Sequence, residues 1–458
     1  MNLGKNFFII LLVLFSAGCG PLKFGNPSDP NSSQFTYNRI LLCVLGLCSD
    51  GTVSFSRPSL SVVAYSESVS LSSNISGASI RYTIDGTDPN SSSLLYEGPL
   101  YPSKDFVGKP IKAISVTSSG QVGPVSQAQF FFPVVRTEQN VCYTTSTTVV
   151  ACDSGLHRGQ DGLVQSGKSQ SYSGPNANSE FPSDITTTDL NTGLVWQTCN
   201  YSKTGLTCTG SDLTGNWSTA VSYCSSLNSM NGGKGYANLT GWRLPSIQES
   251  YSLLRQASPS ISSTNFPNNY NNYMLTATSD PTNPSTNAYA IGFVNQVATV
   301  TPKSSNTYSY RCVTGSSHPS SSLADKGDGT LFDSTTGRYW TKCLAGEGSL
   351  DCSGTPTSQT WLQAVDYCSS LTLASKTWRM PNINELIWLI NPSATTAPYV
   401  QGANLFTSDL NAKTLLSSST WVNVSYPNTV VAIQTNNGQG VNSIDKTVSN
   451  YSLCVSGP

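Results

Sequence analysis

Two short strings in this chain carry residues able to do chemistry, and the chain writes them twice. Trp242-Arg243-Leu244-Pro245 is followed by Glu249, and Trp378-Arg379-Met380-Pro381 is followed by Glu385. Arginine presents five donors in a rigid fork, and a carboxylate accepts two of them. Such a pair beside an open pocket can hold an anion or move a proton. The alternative is that the pair is the keystone of a fold used twice. Other chemical signatures are sparse. The two histidines, His157 and His318, stand outside the repeated strings and read as solvated loop side chains. No HExxH, no Ser-His-Asp set in register and no phosphate-binding loop occurs. The cysteine spacings do not match CxxC knuckles, so no metal or cofactor is expected. Asp325, Asp328 and Asp333 in "DKGDGTLFD" loosely resemble a calcium loop, but the closing Glu is missing and the string reads better as a hairpin turn.

The elements that must position these residues follow from composition and repeats. Across 458 residues only 11% are charged and the formal net charge is −1. No block of Lys and Arg is available to neutralise phosphates, which argues against nucleic-acid binding. Residues 1–18 place one Lys before the apolar run Phe7 to Phe15, then Ser16, Ala17 and Gly18 lead to Cys19. The run is too short to span a bilayer and reads as a signal peptide. Its small residues before Cys resemble a bacterial lipobox, closest to the looser spirochaete form because Ser16 stands where Leu is usual. That resemblance implies lipidation of Cys19, an anchor in the outer membrane and exposure at the cell surface. Twelve of the thirteen cysteines then remain, an even number suited to a disulfide framework in an oxidising compartment.

Residues 19–54 are rich in Pro, Ser and Asn and read as a tether, with Cys43 and Cys48 able to close a small loop. From residue 55 to 133 short alternating runs such as "ASIRYTIDG" and "KPIKAISVTSSG" predict an all-β sandwich. Asp85 and Asp88 in "DGTDP" read as turn formers. The rest is an internal repeat, residues 134–316 and 317–458. Trp196, Cys199, Cys208, Trp217, Cys224 and Trp242 keep the same spacings as Trp340, Cys343, Cys352, Trp361, Cys368 and Trp378 up to the Cys before each W-R string. Cys312 and Cys454 close the copies. "NWSTAVSYCSSL" and "TWLQAVDYCSSL" place Trp, Val, Cys and Leu on one helical face. A buried Cys on that helix and a lone Cys in the last strand are natural partners, so Cys224–Cys312 and Cys368–Cys454 are expected. Cys199–Cys208, Cys343–Cys352 and Cys142–Cys152 would then clip local loops. After each W-R string, Ser246 or Asn382 stands three residues before Glu249 or Glu385, the spacing of a helix capping box. Pro245 and Pro381 break the preceding segment. These agreeing signals favour the structural reading of the Arg–Glu pairs.

The residues also carry family resemblances. "YTIDGTDPNSSSLLYEGPL" with "IKAISV" resembles the chitobiase/hexosaminidase C-terminal-type domain over 57–132, which implies an Ig-like accessory spacer without catalysis. The ordered strings D-x-x-T-G-x-x-W, W-x-x-A-V-x-Y-C-x-x-L and W-R-[LM]-P-x-x-x-E resemble the DUF1566 family, also named for the C-terminal domain of the collagen-like adhesin Lcl. The helix-borne Cys, R-L-P-x-x-x-E and terminal Cys are also similar to the C-type-lectin-like fold. The expected architecture is therefore multidomain: a β-sandwich, then two disulfide-stabilised α+β, C-type-lectin-like domains. The E-P-N, Q-P-D and W-N-D strings of calcium-dependent lectins are missing. Between the second helix and the last Cys the copies differ most, and there Tyr270, Tyr273, Trp421 and Tyr426 are candidate ligand-binding residues. The expectation is a non-enzymatic adhesion protein for host matrix or glycan ligands. Its rivals are an enzyme with a site between the copies, using Arg243/Glu249 or Arg379/Glu385, and a purely structural envelope component. Nothing in the sequence fixes the oligomeric state.

Overall fold

The computed structural model describes residues 50–102, 106–144, 149–153, 158–268, 273–305, 307–421, 428–437 and 440–458. The signal peptide, Cys19, most of the tether with Cys43 and Cys48, His157, Tyr270 and Tyr426 lie outside the described residues. Among the described residues no helix is long and apolar enough to cross a membrane.

Among the described residues the N-terminal domain has seven strands: β1 (Val53–Phe55), β2 (Ser61–Val62), β3 (Leu71–Ser73), β4 (Ser79–Thr83), β5 (Leu94–Leu95), β6 (Pro110–Val116) and β7 (Ser126–Phe131). They form a five-stranded sheet in the order β2-β7-β6-β4-β5 and a small β1-β3 sheet. Alternation sends Ile111 and Ala113 of β6 inward with Val69 and Phe130. Asp85 closes a turn by accepting from the backbone and hydroxyl of Thr87, as its Asp-Gly context predicts.

A lead-in follows, with β8 (Cys142–Tyr143), β9 (Val149–Val150) and the single turn α1 (Asp161–Val164). Copy one contains β10 (Tyr172–Ala177), β11 (Ile185–Asp189), β12 (Val195–Gln197), α2 (Trp217–Ser226), α3 (Ile247–Leu253), β13 (Met274–Ser279), β14 (Asn287–Gly292), β15 (Val297–Pro302) and β16 (Val313–Thr314). Copy two repeats the series as β17 (Leu323–Asp325), β18 (Thr330–Asp333), β19 (Arg338–Thr341), α4 (Trp361–Ser370), α5 (Ile383–Leu389), β20 (Thr414–Thr420), β21 (Thr429–Gln434), β22 (Gly440–Asp445) and β23 (Val455–Ser456). Each copy has a four-stranded sheet, β10-β11-β12-β16 or β17-β18-β19-β23, and a three-stranded sheet, β13-β14-β15 or β20-β21-β22. The chain is thus mostly β, with few helices and several disulfides.

The repeated residues explain why the copies fold alike. Asn216 caps α2 by accepting from the Thr219 amide, and Ala220 and Cys224 face the core. Trp217 donates its indole N–H to the Thr276 carbonyl at 3.0 Å, and Trp361 does the same to Ser417 at 2.9 Å. Disulfides join Cys224 to Cys312 and Cys368 to Cys454, tying each first helix to the last strand, as the sequence reading paired them. Cys142–Cys152, Cys199–Cys208 and Cys343–Cys352 clip local loops.

Two features depart from a string of separate modules. A single apolar core runs through both copies, from Trp196, Tyr251 and Tyr289 to Trp340, Leu386 and Ile433. Within it α3 packs on α5 and β15 lies beside β22. The β-sandwich, expected as a spacer, also packs on both copies at equivalent points. Gly193 and Gly337 occupy the same turn in the two copies, at φ of +76° and +74°. A Cβ on either would fall 2.4 Å from a ring carbon, of Tyr65 at Gly193 and of Phe131 at Gly337. Each turn therefore needs glycine for its backbone and for the aromatic ring seated on it.

Candidate functional site

Each W-R string sits where strand, helix and terminal disulfide meet. The backbone of Arg243 exchanges two hydrogen bonds of 2.9 Å with Val313, the residue after Cys312. Arg379 exchanges the same pair, at 3.0 and 2.9 Å, with Val455, the residue after Cys454. The helices then start on complete capping boxes. Ser246 accepts from the Glu249 amide at 3.2 Å and Glu249 accepts from the Ser246 amide at 2.8 Å. Asn382 and Glu385 repeat this at 3.0 and 2.9 Å.

The same carboxylates bind the arginines. Glu249 takes Arg243 in a two-pronged pair at 2.7 and 2.6 Å. Glu385 takes Arg379 at 2.7 and 2.6 Å, and in addition accepts from Arg338 Nε at 2.8 Å and Ser166 Oγ at 3.0 Å. Burial alone would raise both carboxyls. The guanidinium charges outweigh it, holding Glu249 low and Glu385 well below the usual carboxylate range. Both Glu side chains are fully buried, with every oxygen occupied. This arrangement caps a helix and locks it to the closing strand, with neither carboxylate exposed. Arg338 has no charged counterpart, because Leu194 stands at its place in copy one.

The lead-in, which sequence placed at the front of copy one, reaches across copy two. Asp161 accepts from Thr137 at 2.6 Å and from Ser419 at 2.5 Å. Gln139 bonds Thr420, Asn384 donates to the Val135 carbonyl at 2.8 Å, and Arg379 donates to Ser166 Oγ at 2.5 Å. Burial pushes the Asp161 carboxyl up to about 6, against its two hydroxyl donors.

Between α3 and α5 lies a cavity of about 10 Å³, lined by Gln248, Tyr251, His318, Asn384, Ile387 and Trp388 among others. That is room for one water. His318 corrects its expected solvation: it stacks on Trp388 at 5.5 Å and meets Phe132 edge-on at 5.2 Å. The reason is that His318 packs under Phe132 and Trp388, beside the small apolar cluster where the end of the β-sandwich meets α5, while the link on either side of it stays largely exposed. Neither ring nitrogen has a hydrogen-bond partner, and burial pushes the imidazole down to about 4.

The loop candidates separate. Tyr273 is half-buried, packs against Tyr308 at 5.0 Å and takes a hydrogen bond from Asn295 at 3.2 Å. Trp421 is corrected as a stacking residue: it is 8% exposed and belongs to the shared core, so its ring face is not open to a sugar. The structure adds a cleft that sequence reading missed. It has a volume of about 200 Å³ and lies in copy two, walled by Asp325, Lys342, Asp351 and the segment Asn404 to Ser408. Its signal was a charge difference inside otherwise matched loops, where Glu347 and Asp351 replace Lys203 and Thr207. Beside it, Cys343, Glu347 and Cys352 bring ligand-type atoms within 4.8 Å of one another. The two sulfurs are bonded to each other, so neither is a thiolate available to a metal. Asp325 and Asp328 accept from the Gly327 and Thr330 amides, the turn geometry expected of their string.

Comparison with known families finds the same duplication. The model of the Lcl C-terminal domain matches residues 185–314 and again 329–456. That of the chitobiase/beta-hexosaminidase C-terminal domain matches residues 61–127. No curated protein and no solved structure matches the chain.

Proposed function

Since the chain belongs to the Lcl C-terminal domain family, with two copies behind a chitobiase/beta-hexosaminidase C-terminal domain, we propose that it is a non-enzymatic surface binding protein. It is anchored in the outer membrane by a lipid on Cys19 and displays its paired copies to glycan or extracellular-matrix ligands. The observation that carries this reading is the burial of both Glu carboxylates, whose oxygens are all engaged by the scaffold, although Arg243 keeps an exposed edge. Recognition then falls to the loops, where the copies diverge. A mixed α+β copy closed by a long-range disulfide supports the lectin-like comparison. The rival enzyme with a site between the copies needs room for substrate there, and the space of about 10 Å³ holds one water.

The test is a binding screen of the disulfide-intact chain against immobilised glycans and matrix proteins, with Tyr273→Ala as the loop variant. Binding weakened by that variant supports the reading, and binding to nothing by a folded chain overturns it. Anchoring is checked separately by radiolabelled fatty-acid incorporation, which Cys19→Ala should abolish.

A further inference from the structure

We propose that the copy-two cleft is a subsite for one neutral, hydroxyl-rich sugar residue, and that copy one lacks it. This rests on the binding reading above and names its site and ligand class.

Size comes first. The cleft holds about 200 Å³, below the range of roughly 300–1,000 Å³ typical of drug-sized ligand pockets. It therefore fits a single ring rather than an extended chain. Its walls are fixed in advance. Glu347 accepts from the Leu344 amide at 2.6 Å inside the clipped loop and from Thr407 Oγ1 at 2.8 Å in the opposite wall. The Thr407 amide also donates to the Lys342 carbonyl at 3.2 Å. The Cys343–Cys352 bond closes the same loop. Little ordering is left for a ligand to impose.

The chemistry of the lining follows. Asn404 and Ser408 are exposed and make no hydrogen bond within the described protein. An amide and a hydroxyl can each donate and accept, which matches sugar hydroxyls that also do both. Asp351 is exposed and accepts from the Ser353 amide at 3.0 Å and from the Ser353 side chain, which leaves acceptor capacity on a carboxylate with about four lone-pair sites. Half-buried Leu405 supplies the apolar contact for a ring's C–H face, with the buried Phe406 packed behind it. Charge then selects among sugars. Lys342 pairs with Asp325 at 2.8 Å and also acts on Asp351, so the lining sets two carboxylates against one ammonium and stays net negative. That excess repels sulfate and carboxylate groups.

Copy one shares the scaffold but not these groups. Its clip has the same length, nine positions, so residues correspond one to one. Lys342, Glu347 and Asp351 become Thr198, Lys203 and Thr207. Lys203 instead donates to the Asn268 carbonyl and pairs with Asp212 at 3.5 Å.

The disulfide-intact full chain is titrated with methyl glycosides of neutral hexoses and N-acetylhexosamines, and with heparin as the sulfated arm, by saturation-transfer NMR and calorimetry. Asp351→Asn combined with Asn404→Ala should weaken neutral-glycoside binding about tenfold or more, the usual loss for a hydrogen bond to a charged group. Thr207→Ala, the copy-one counterpart, should leave it unchanged. Both altered positions of the double variant are exposed, and an unchanged melting curve confirms its fold. If the double variant binds glycosides as the parent does, the site is elsewhere and the general binding reading stands. If heparin alone binds, the ligand class is wrong. If no glycan or matrix protein binds, both readings fall.

Discussion

Replacing Glu385 by glutamine tests how the two Arg–Glu sites differ. The change keeps side-chain volume and an oxygen able to accept from the Asn382 amide, so it isolates charge. At pH 7 it strands two guanidinium groups, Arg379 with 13% and Arg338 with 2% of the side chain exposed. Removing one partner of a buried ion pair costs about 3–5 kcal/mol, because the remaining charge lacks both water and counter-ion. Asp161, which also faces Arg379, moderates the loss by ionising more readily. Glu249→Gln strands only Arg243, which is 34% exposed and can turn toward water. Its cost should be about 1–2 kcal/mol, between the surface and buried limits. The assay is urea denaturation of the disulfide-intact chain, comparing midpoints at unchanged slope. Arg338→Leu supplies the internal check, since Leu194 shows that the scaffold accepts leucine there. Alone it should stay within about 1 kcal/mol of the parent, and combined with Glu385→Gln it should recover part of the loss. Equal costs for the two Glu→Gln changes, or no recovery in the double variant, would refute the reasoning.

Three further outcomes are expected. His318 is neutral in the fold, with a pKa pushed down to about 4 against about 6.5 unfolded, facing Glu249 and Arg243. Its contribution is complete above pH 6.5 and is lost as pH falls toward 4, in total about 3 kcal/mol. Asp161, pushed up to about 6, contributes with the opposite sign, fully below about 3.9 and less as pH rises through 6. The measure is therefore the difference between parent and His318→Phe, and a pH-independent difference sinks the assignment. Converting Cys368 and Cys454 to Ser opens a loop of 86 positions and should cost about 4–5 kcal/mol; opening the nine-position Cys343–Cys352 loop should cost about 2.5 kcal/mol, read as denaturation midpoints. Residues 317–458 expressed alone should fail to unfold cooperatively and should bind an apolar dye, because α5 and its share of the common core lose their cover. A sharp melting transition from that fragment would contradict a shared core.

What the sequence made legible was local. The capping boxes, the Pro breaks and the helical Cys stripe are set by residues within one or two turns, and the duplication supplied their register. The long-range disulfides followed because each copy offered one helical and one terminal Cys. The hidden features join segments far apart. Arg338 meets Glu385 only after β19 and α5 are assembled, so its string, "TGRYW", reads as an ordinary strand. His318 carries no periodic signal of burial, since the rings packed on it, Phe132 and Trp388, come from segments far from it in sequence. Trp421 has the composition of a binding loop, but its position beside β20 turns it inward. The cleft escaped notice because separate segments converge on it and none has a motif of its own.

The reach of the lead-in across copy two also sets a clock on biosynthesis. Gln139 finds its partner Thr420 only 281 positions later. At a synthesis rate of roughly 5–20 residues per second, that interval is on the order of tens of seconds. Throughout it Asp161, Ser166 and Gln139 have no folded surface to receive them, and copy one presents half of a core. A chain cut short by a nonsense mutation or a nick before residue 380 therefore exposes polar and apolar groups that the finished protein hides. Premature products should be easy prey for proteases, which favours complete molecules over fragments.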